Sequence, residues 1–434
     1  MPRIMIADMS FPLMRMVYQH FHIPPKVNGI EEIDRQWEHI RTAFRLPKGS
    51  SVAVAVGSRG IADLTCIVRE VVAKLTAAGY CPFVLPAMGS HGGATLEGQI
   101  GVLKARGITE QSVNAPIRAS MQVTRLGEKD GISLFVNRLA YEAGGIVLIN
   151  RIKPHTNFIG PTESGLLKMM SVGLGNQVGA EHLHRLAVIK DYYSVISTAG
   201  RELLKGCNVL FGVGLVENQS HETAFVKLAL PDEMELVEED LLKKARACLP
   251  TLPMDEIDLL IVDEMGKDIS GEGIDPNVVG RDVCECGVRR SWPKITRIFV
   301  RDLSEGSEGS ALGIGQADFT TKRLVDKIDF QATAVNCLTC CCPESGRVPL
   351  TYPNDKEAMA AAMMTLRPYT LENVKIVHIK NTMDLVRILA SKGCLPHLET
   401  KPHVDVGKED MAMEFDDQGG LRSPFGKNQG ERLF

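Results

Sequence analysis

The sequence predicts an α/β protein of two domains built on mainly parallel sheets. Three observations carry that expectation. The chain has 434 residues, more than one ordinary core accommodates. Short uninterrupted apolar runs, such as "VAVAV" at 52–56, have the pattern of strands buried on both faces. Each such run leads into a polar or glycine-rich loop and then into apolar positions at helical spacing, the order that makes strands parallel with right-handed crossovers.

The first repeat of that order spans 51–93. After "VAVAV" comes "GSRG" at 57–60, and then Leu64, Ile67, Val68, Val71, Val72 and Leu75 recur at helical spacing until Gly79. "CPFVLP" is the second strand and runs into "AMGSHGGAT". Arg59 and His91 therefore fall just beyond the carboxyl ends of their strands, where open α/β sheets bind ligands. The order returns at 145–168 with the strand "GIVLIN", the loop "RIKPHTNFIGPTE" and a helix starting near Ser164, a residue suited to N-capping.

Further along, "NVLFGVGLVEN" and "ETAFVKLALP" read as strands around a turn at "QSH", and "EEDLLKKARACLP" reads as a helix. Pro253 and the new strand "DLLIVD" set a domain boundary near 250, giving domains 1–250 and 251–434. "GKDISGEGIDPNVVGR" is a ligand loop or an inter-domain connection. A last α/β stretch contains "KITRIFVRDL", the helix "TTKRLVDKI", "AMAAAMMTLR" and the strand "VKIVHI". The tail after Lys408 has little periodicity and is expected to be loosely ordered or packed across a neighbour.

Composition narrows the class. A net charge of −4 with 24% charged residues offers no basic footprint for nucleic acid and no polybasic membrane anchor. Neither a cleavable leader nor a run of transmembrane length is evident, so the expected location is the cytoplasm. Eleven irregularly spaced cysteines suit free thiols in a reducing compartment. One cluster, Cys337, Cys340, Cys341 and Cys342 with Cys284 and Cys286 upstream, is either a metal site needing about four thiolates or small buried residues beside a turn.

Several side chains have the chemistry of a site. His91 is framed by Gly89, Ser90, Gly92 and Gly93, which let the backbone adopt positive φ and approach a ligand closely. Arg59, framed by Gly57 and Gly60, has a donor fork that matches a carboxylate or phosphate. Lys168 lies in the apolar run "SGLLKMMSVGLG", so it snorkels out, pairs with an acid such as Glu163, or is chemically used. His182 and His184 are two residues apart, so one helix face presents one of them at most. The zinc-helix, Walker and nucleophile-elbow motifs are absent from the sequence.

In their order, "GSRG", "GSHGGAT", "PHTNFIG", "SGLLK", "GLG" and "GAEHLH" resemble the nickel-dependent lactate racemase family. That resemblance runs from about Arg59 to His184, and more faintly to about Val300. It implies two α/β domains with the active site in the cleft between them. It implies a nickel-pincer nucleotide (nickel pyridinium-3,5-bisthiocarboxylic acid mononucleotide), delivered by cofactor-biosynthesis proteins and linked to Lys168. His91 and His155 become the acid/base pair and His184 the nickel ligand, with His182 as the fallback. Arg59 would hold the substrate carboxylate. Gly89, Ser90, Gly92, Gly93, Gly173 and Gly175 would border the cofactor. The cations Arg151 and Lys153 would meet its phosphate or a second carboxylate, or solvent.

The implied reaction is racemisation of a 2-hydroxy acid by reversible hydride transfer, with an imidazole on each side of the substrate. Departures from the family pattern at Val56, Ser58 and "DPNVVGR" point to a substrate other than lactate. A homo-oligomer is compatible with this reading. The alternatives are a nickel-independent epimerase or lyase on hydroxy or sugar acids, a cysteine-cluster metal protein, and a non-catalytic cofactor carrier.

Overall fold

Strands Ser51–Val56, Cys81–Pro86 and Gly145–Arg151 are apolar and buried over most of their length, as parallel strands between helical layers must be. The computed structural model describes residues 9–58, 60–284, 290 and 292–426. In it these strands join Val209–Glu217 and Thr223–Ala229 in one sheet. Its order is Cys81–Pro86, Ser51–Val56, Gly145–Arg151, Val209–Glu217, Thr223–Ala229. The first four run parallel and the fifth returns antiparallel after the turn at 218–222. On one face lies the helix Leu64–Ala77, whose buried residues are the six read from the sequence. Together with Ile33, Trp37 and Ile40 of Gly29–Ala43 they pack on Val52, Val54 and Phe211. On the other face Gly212 and Gly214 let Leu166, Met234 and Leu241 approach the strand closely.

The second sheet has eight strands, in the order Leu350–Tyr352, Phe319–Thr321, Lys294–Leu303, Glu256–Met265, Ile376–Ile379, Arg387–Ser391, Met14–Gln19, Val404–Val406. Its first five strands are parallel and the rest antiparallel. Alternate residues serve two cores: Leu260, Val262, Ile298 and Val300 face one side, Leu259, Ile261 and Phe299 the other. Both sheets are therefore those of α/β domains. No described helix is long and apolar enough to cross a membrane.

The chain divides into a unit Ile23–Leu249 and a unit formed by the segment up to His22 with residues from Pro250 onward. The N-terminal strand is the difference from a single boundary near 250. Met14–Gln19 pairs with Arg387–Ser391 and Val404–Val406, a long-range pairing that local periodicity does not report.

Three further expectations are corrected. The tail is held on its own unit: Met411 bridges Met14, the Leu421 N–H donates to Asp355 at 2.8 Å, and Ser423 bonds Asp263. The cysteines are not all free, because Cys284 and Cys342, remote in sequence, meet in a disulfide with Cα atoms 5.4 Å apart. Among its neighbours, burial pushes the Cys340 thiol up to about 12 and the Cys337 thiol upward. Cys286 lies outside the described residues. Ser164 caps no helix; the short helix Leu166–Lys168 follows Gly165, and its cap comes from elsewhere in the chain.

Candidate active site

Loops at the carboxyl ends of parallel strands carry His91 and His155, whereas Lys168 stands on the helix Leu166–Lys168 and His184 on the helix Asn176–Ile189. Arg59 lies outside the described residues. His91 is exposed and precedes the single turn Gly92–Ala94, with its N–H bonded to the Met88 carbonyl at 3.1 Å. The loop before it is tied down, because Gly89 N–H donates to the Gly173 carbonyl and Gln99 Nε2 donates to the Gly89 carbonyl, both at 3.0 Å. Gly173 ends the helical run that starts at Leu166 and contains Lys168, so the His91 loop and the Lys168 segment are joined through the backbone.

Most of the glycines serve packing. A Cβ on Gly89 would lie 3.2 Å from the Val172 carbonyl oxygen, one on Gly173 2.7 Å from that of Ala87, and one on Gly175 2.6 Å from that of Ser171. Gly92 is pressed against Gly98. Gly93 differs: its φ is +63° and nothing lies within 4 Å of a Cβ there. Ser90 is half-buried in the turn before His91.

The loop 151–163 is built around acids. Arg151 forms an ion pair with Glu217, whose other oxygen accepts the Ala62 N–H at 2.5 Å, so Arg151 is held by protein. Lys153 exchanges backbone hydrogen bonds with Ser164, at 3.0 and 3.3 Å, which pinches the loop closed. Inside it the buried Glu163 accepts the N–H groups of His155 at 2.5 Å and Gly160 at 3.1 Å and pairs with Arg246. Glu163 is therefore the partner of Arg246, not of Lys168.

Lys168 instead meets His155, with Nζ against Nε2. The other ring nitrogen, Nδ1, accepts the Asn157 N–H at 3.0 Å. A neutral imidazole has one N–H, so accepting at Nδ1 leaves the proton on Nε2, facing the lysine. An ammonium there would set donor against donor. In that tautomer the contact is a hydrogen bond from Nε2–H to the nitrogen of Lys168.

An aromatic row connects this pair to His184. The His155 ring stacks on Phe158 with centroids 4.4 Å apart, Phe158 stacks on Tyr192 at 5.8 Å, and Tyr192 lies 6.1 Å from the ring of His184. Lys168 Nζ stands 5.8 Å from the Phe158 centroid. His182, two residues away, turns elsewhere: its Nε2 accepts the Ser133 N–H at 2.9 Å, and burial depresses its pKa. That nitrogen is committed to the hairpin of Val123–Lys129 and Ile132–Asn137. Of the two histidines, His184 is the one beside the Lys168 neighbourhood.

The segment after Lys168 is a π-helical turn, Met169–Gly173, in which Leu174 N–H reaches the Met169 carbonyl at 2.8 Å. Such turns recur at functional sites because they re-aim side chains within a helix. Phe158, Tyr192, Glu163 with Arg246, and Glu238, which caps the Lys168 helix, were not singled out as a set by sequence. Their meeting depends on contacts across up to 83 residues of chain, which no local spacing encodes.

For the cofactor implied by the motifs, the donor set is compatible. It offers a lysine side chain for attachment, flat aromatic faces and one imidazole. Among the described residues no group of three or more His, Cys, Asp or Glu side chains is arranged to hold a metal ion.

No family model matches this sequence, and no curated protein does. Among solved structures the chain is similar to the lactate racemase apoprotein from Thermoanaerobacterium thermosaccharolyticum. The identity is 14%, the match covers 85% of this chain and 89% of that one, and the TM-score is 0.45.

Proposed function

We propose that this chain is a racemase or epimerase of a 2-hydroxy acid that works with a nickel-pincer nucleotide, on a substrate other than lactate. One observation carries the reading. The amine of Lys168, in "SGLLK", meets the ring of His155, in "PHTNFIG", beside an aromatic row that ends at His184. Lys168 would anchor the cofactor and His184 would ligate its nickel. When bound, the cofactor would supply an acceptor for the substrate's α-hydride, which an imidazole cannot remove as a proton from so weak a carbon acid.

The chain's own residues supply the rest. His155 exchanges the substrate hydroxyl proton at Nε2, the atom the lysine now faces. To act as a base there, the ring must release the Asn157 N–H and carry its proton on Nδ1. His91, in an open glycine-rich loop, is the second imidazole. Arg59 and Lys153 are assigned to the substrate carboxylate, a role suited to cations at a strand's carboxyl end.

The deciding experiment coexpresses the chain with enzymes that make the cofactor. Intact mass and nickel content are measured first, and a panel of chiral 2-hydroxy acids is then followed for loss of optical activity. An adduct on Lys168, bound nickel and racemisation of one acid are expected. A protein without adduct or nickel overturns the reading.

A second reading is kept because a lysine side chain against an imidazole also suits imine formation with a keto or sugar acid. In that case the enzyme is a nickel-independent epimerase or lyase. Borohydride trapping of a 2-keto acid on Lys168, in protein made without the cofactor enzymes, would favour it.

A further inference from the structure

We infer that Glu238 is a positioning residue for Lys168: its carboxylate holds the opening peptide groups of the lysine's helix and so sets Nζ against Nε2 of His155. The inference rests on the reading of Lys168 as a reactive amine.

A helix start leaves its first N–H groups without intrahelical acceptors, and the usual remedy is a local Ser, Thr, Asp or Asn. Here Gly165 occupies the capping position and offers no side chain. The N–H groups of Leu166 and Leu167 bond instead to one oxygen of Glu238, at 2.7 and 3.0 Å. Glu238 comes from the helix Met234–Ala247 and is wholly buried. Gly165 is what admits it, since a Cβ there would lie 2.3 Å from the carboxyl group. Lys168 follows one residue after the second bonded amide, so the direction of its side chain is set from this anchor.

Capping alone does not require so costly a group. The second oxygen, Oε1, is buried and has no hydrogen-bond partner among the described residues. Burial, opposed by the two N–H bonds, pushes the carboxyl up to about 7. Glu235 lies one turn earlier on the same helix and is itself bound to Arg201 of Tyr192–Gly206 at 2.8 Å. Lys168 stands on the capped helix. An ionised Glu238 grips both amides by charge-assisted bonds, which are about twice as strong as neutral ones. The grip on the lysine's helix therefore tightens as pH rises through neutrality.

The test uses the full chain made without the cofactor enzymes. Formaldehyde with cyanoborohydride methylates lysine amines, and mass spectrometry gives the rate at Lys168 relative to the exposed Lys104, from pH 5.5 to 8.5. The parent ratio is expected to rise in a step near pH 7. Glu238→Ala should lower the ratio at pH 8 at least about tenfold, as Nζ leaves the ring. Glu238→Gln should restore most of that loss, because its amide oxygen accepts the same two N–H groups, but without the step. In a His155→Ala background the effect of Glu238→Ala should shrink to about twofold or less, since coupled residues are not additive.

An unchanged ratio in Glu238→Ala, or a full effect that persists without His155, overturns the inference. Should Glu238→Ala not fold, a pH 7 step that survives in Glu238→Gln overturns it equally. No cofactor enters the measurement, so failure of the racemase reading leaves these outcomes intact.

Discussion

Lys168 Nζ lies against Nε2 of His155, whose Nδ1 already accepts the Asn157 N–H at 3.0 Å. In the tautomer that keeps the ring proton on Nε2, the lysine nitrogen accepts from His155. If the pair works as proposed, the two residues fail differently. With the cofactor enzymes present, Lys168→Ala should lose the mass adduct. His155→Ala and His91→Ala should keep nickel yet stop exchange of the substrate's α-hydrogen. Near-parent exchange in either histidine variant would remove that histidine from the acid/base assignment.

Glu163 organises the loop that presents His155. Replacing it with alanine strands the N–H groups of His155 and Gly160 and leaves Arg246 without its carboxylate. Loss of one partner from a pair with a buried carboxylate costs about 3 kcal/mol. Urea unfolding of Glu163→Ala should show a loss of that order. A midpoint equal to the parent's would mean that the loop holds its shape without this acid.

Gly93 separates packing from ligand approach. Its φ of +63° makes an alanine there cost about 1–2 kcal/mol, and the space around its Cβ position is open. If a ligand passes close to this backbone, Gly93→Ala should lose cofactor retention well beyond its small shift in Tm. Retention at the parent's level would assign the glycine to the turn alone.

Asp355 is the stability test of the other unit. Completely buried, it binds Arg301 at 2.9 Å and Arg323 at 3.0 Å and accepts the Leu421 N–H that pins the tail. Asp355→Ala leaves the buried Arg301 short of one carboxylate, a change that costs about 3–5 kcal/mol. Limited proteolysis should then cut first near 411–425; cleavage no faster than in the parent would contradict the anchoring role.

Glu238 predicts a stability profile with a definite sign. Its pKa in the folded chain is about 7, raised by burial from an ordinary value of 4.5. Below 4.5 both folded and unfolded chains carry the proton, and no penalty arises. Between 4.5 and 7 the unfolded chain ionises first, so the folded state loses stability as pH rises, and the loss is complete above 7. Glu238→Gln escapes it. Its stability relative to the parent should therefore grow by about 3 kcal/mol between pH 4.5 and 8. A difference independent of pH would show that the carboxyl does not titrate in this range.

The sequence by itself determined the α/β class, because runs such as 52–56 can be buried on both faces only between helices, and the six apolar positions of Leu64–Ala77 leave one face to pack. It also marked His91, framed by glycines, and Lys168, within an apolar run where its chemistry is unexpected, whereas His155 and His184 were singled out through the motif resemblance. One element was legible but passed over: Asp130–Gly131, both at positive φ, is the turn of the hairpin that holds His182.

Only the tertiary structure decided which acid serves which base. Glu163 went to Arg246, Glu217 to Arg151 and Glu238 to two amides, while Lys168 meets His155. The same holds for Met14–Gln19, which completes a sheet whose other strands lie beyond residue 250. Local periodicity reports which face of an element is apolar, whereas a buried polar partner is chosen by desolvation and geometry among groups far apart in the chain.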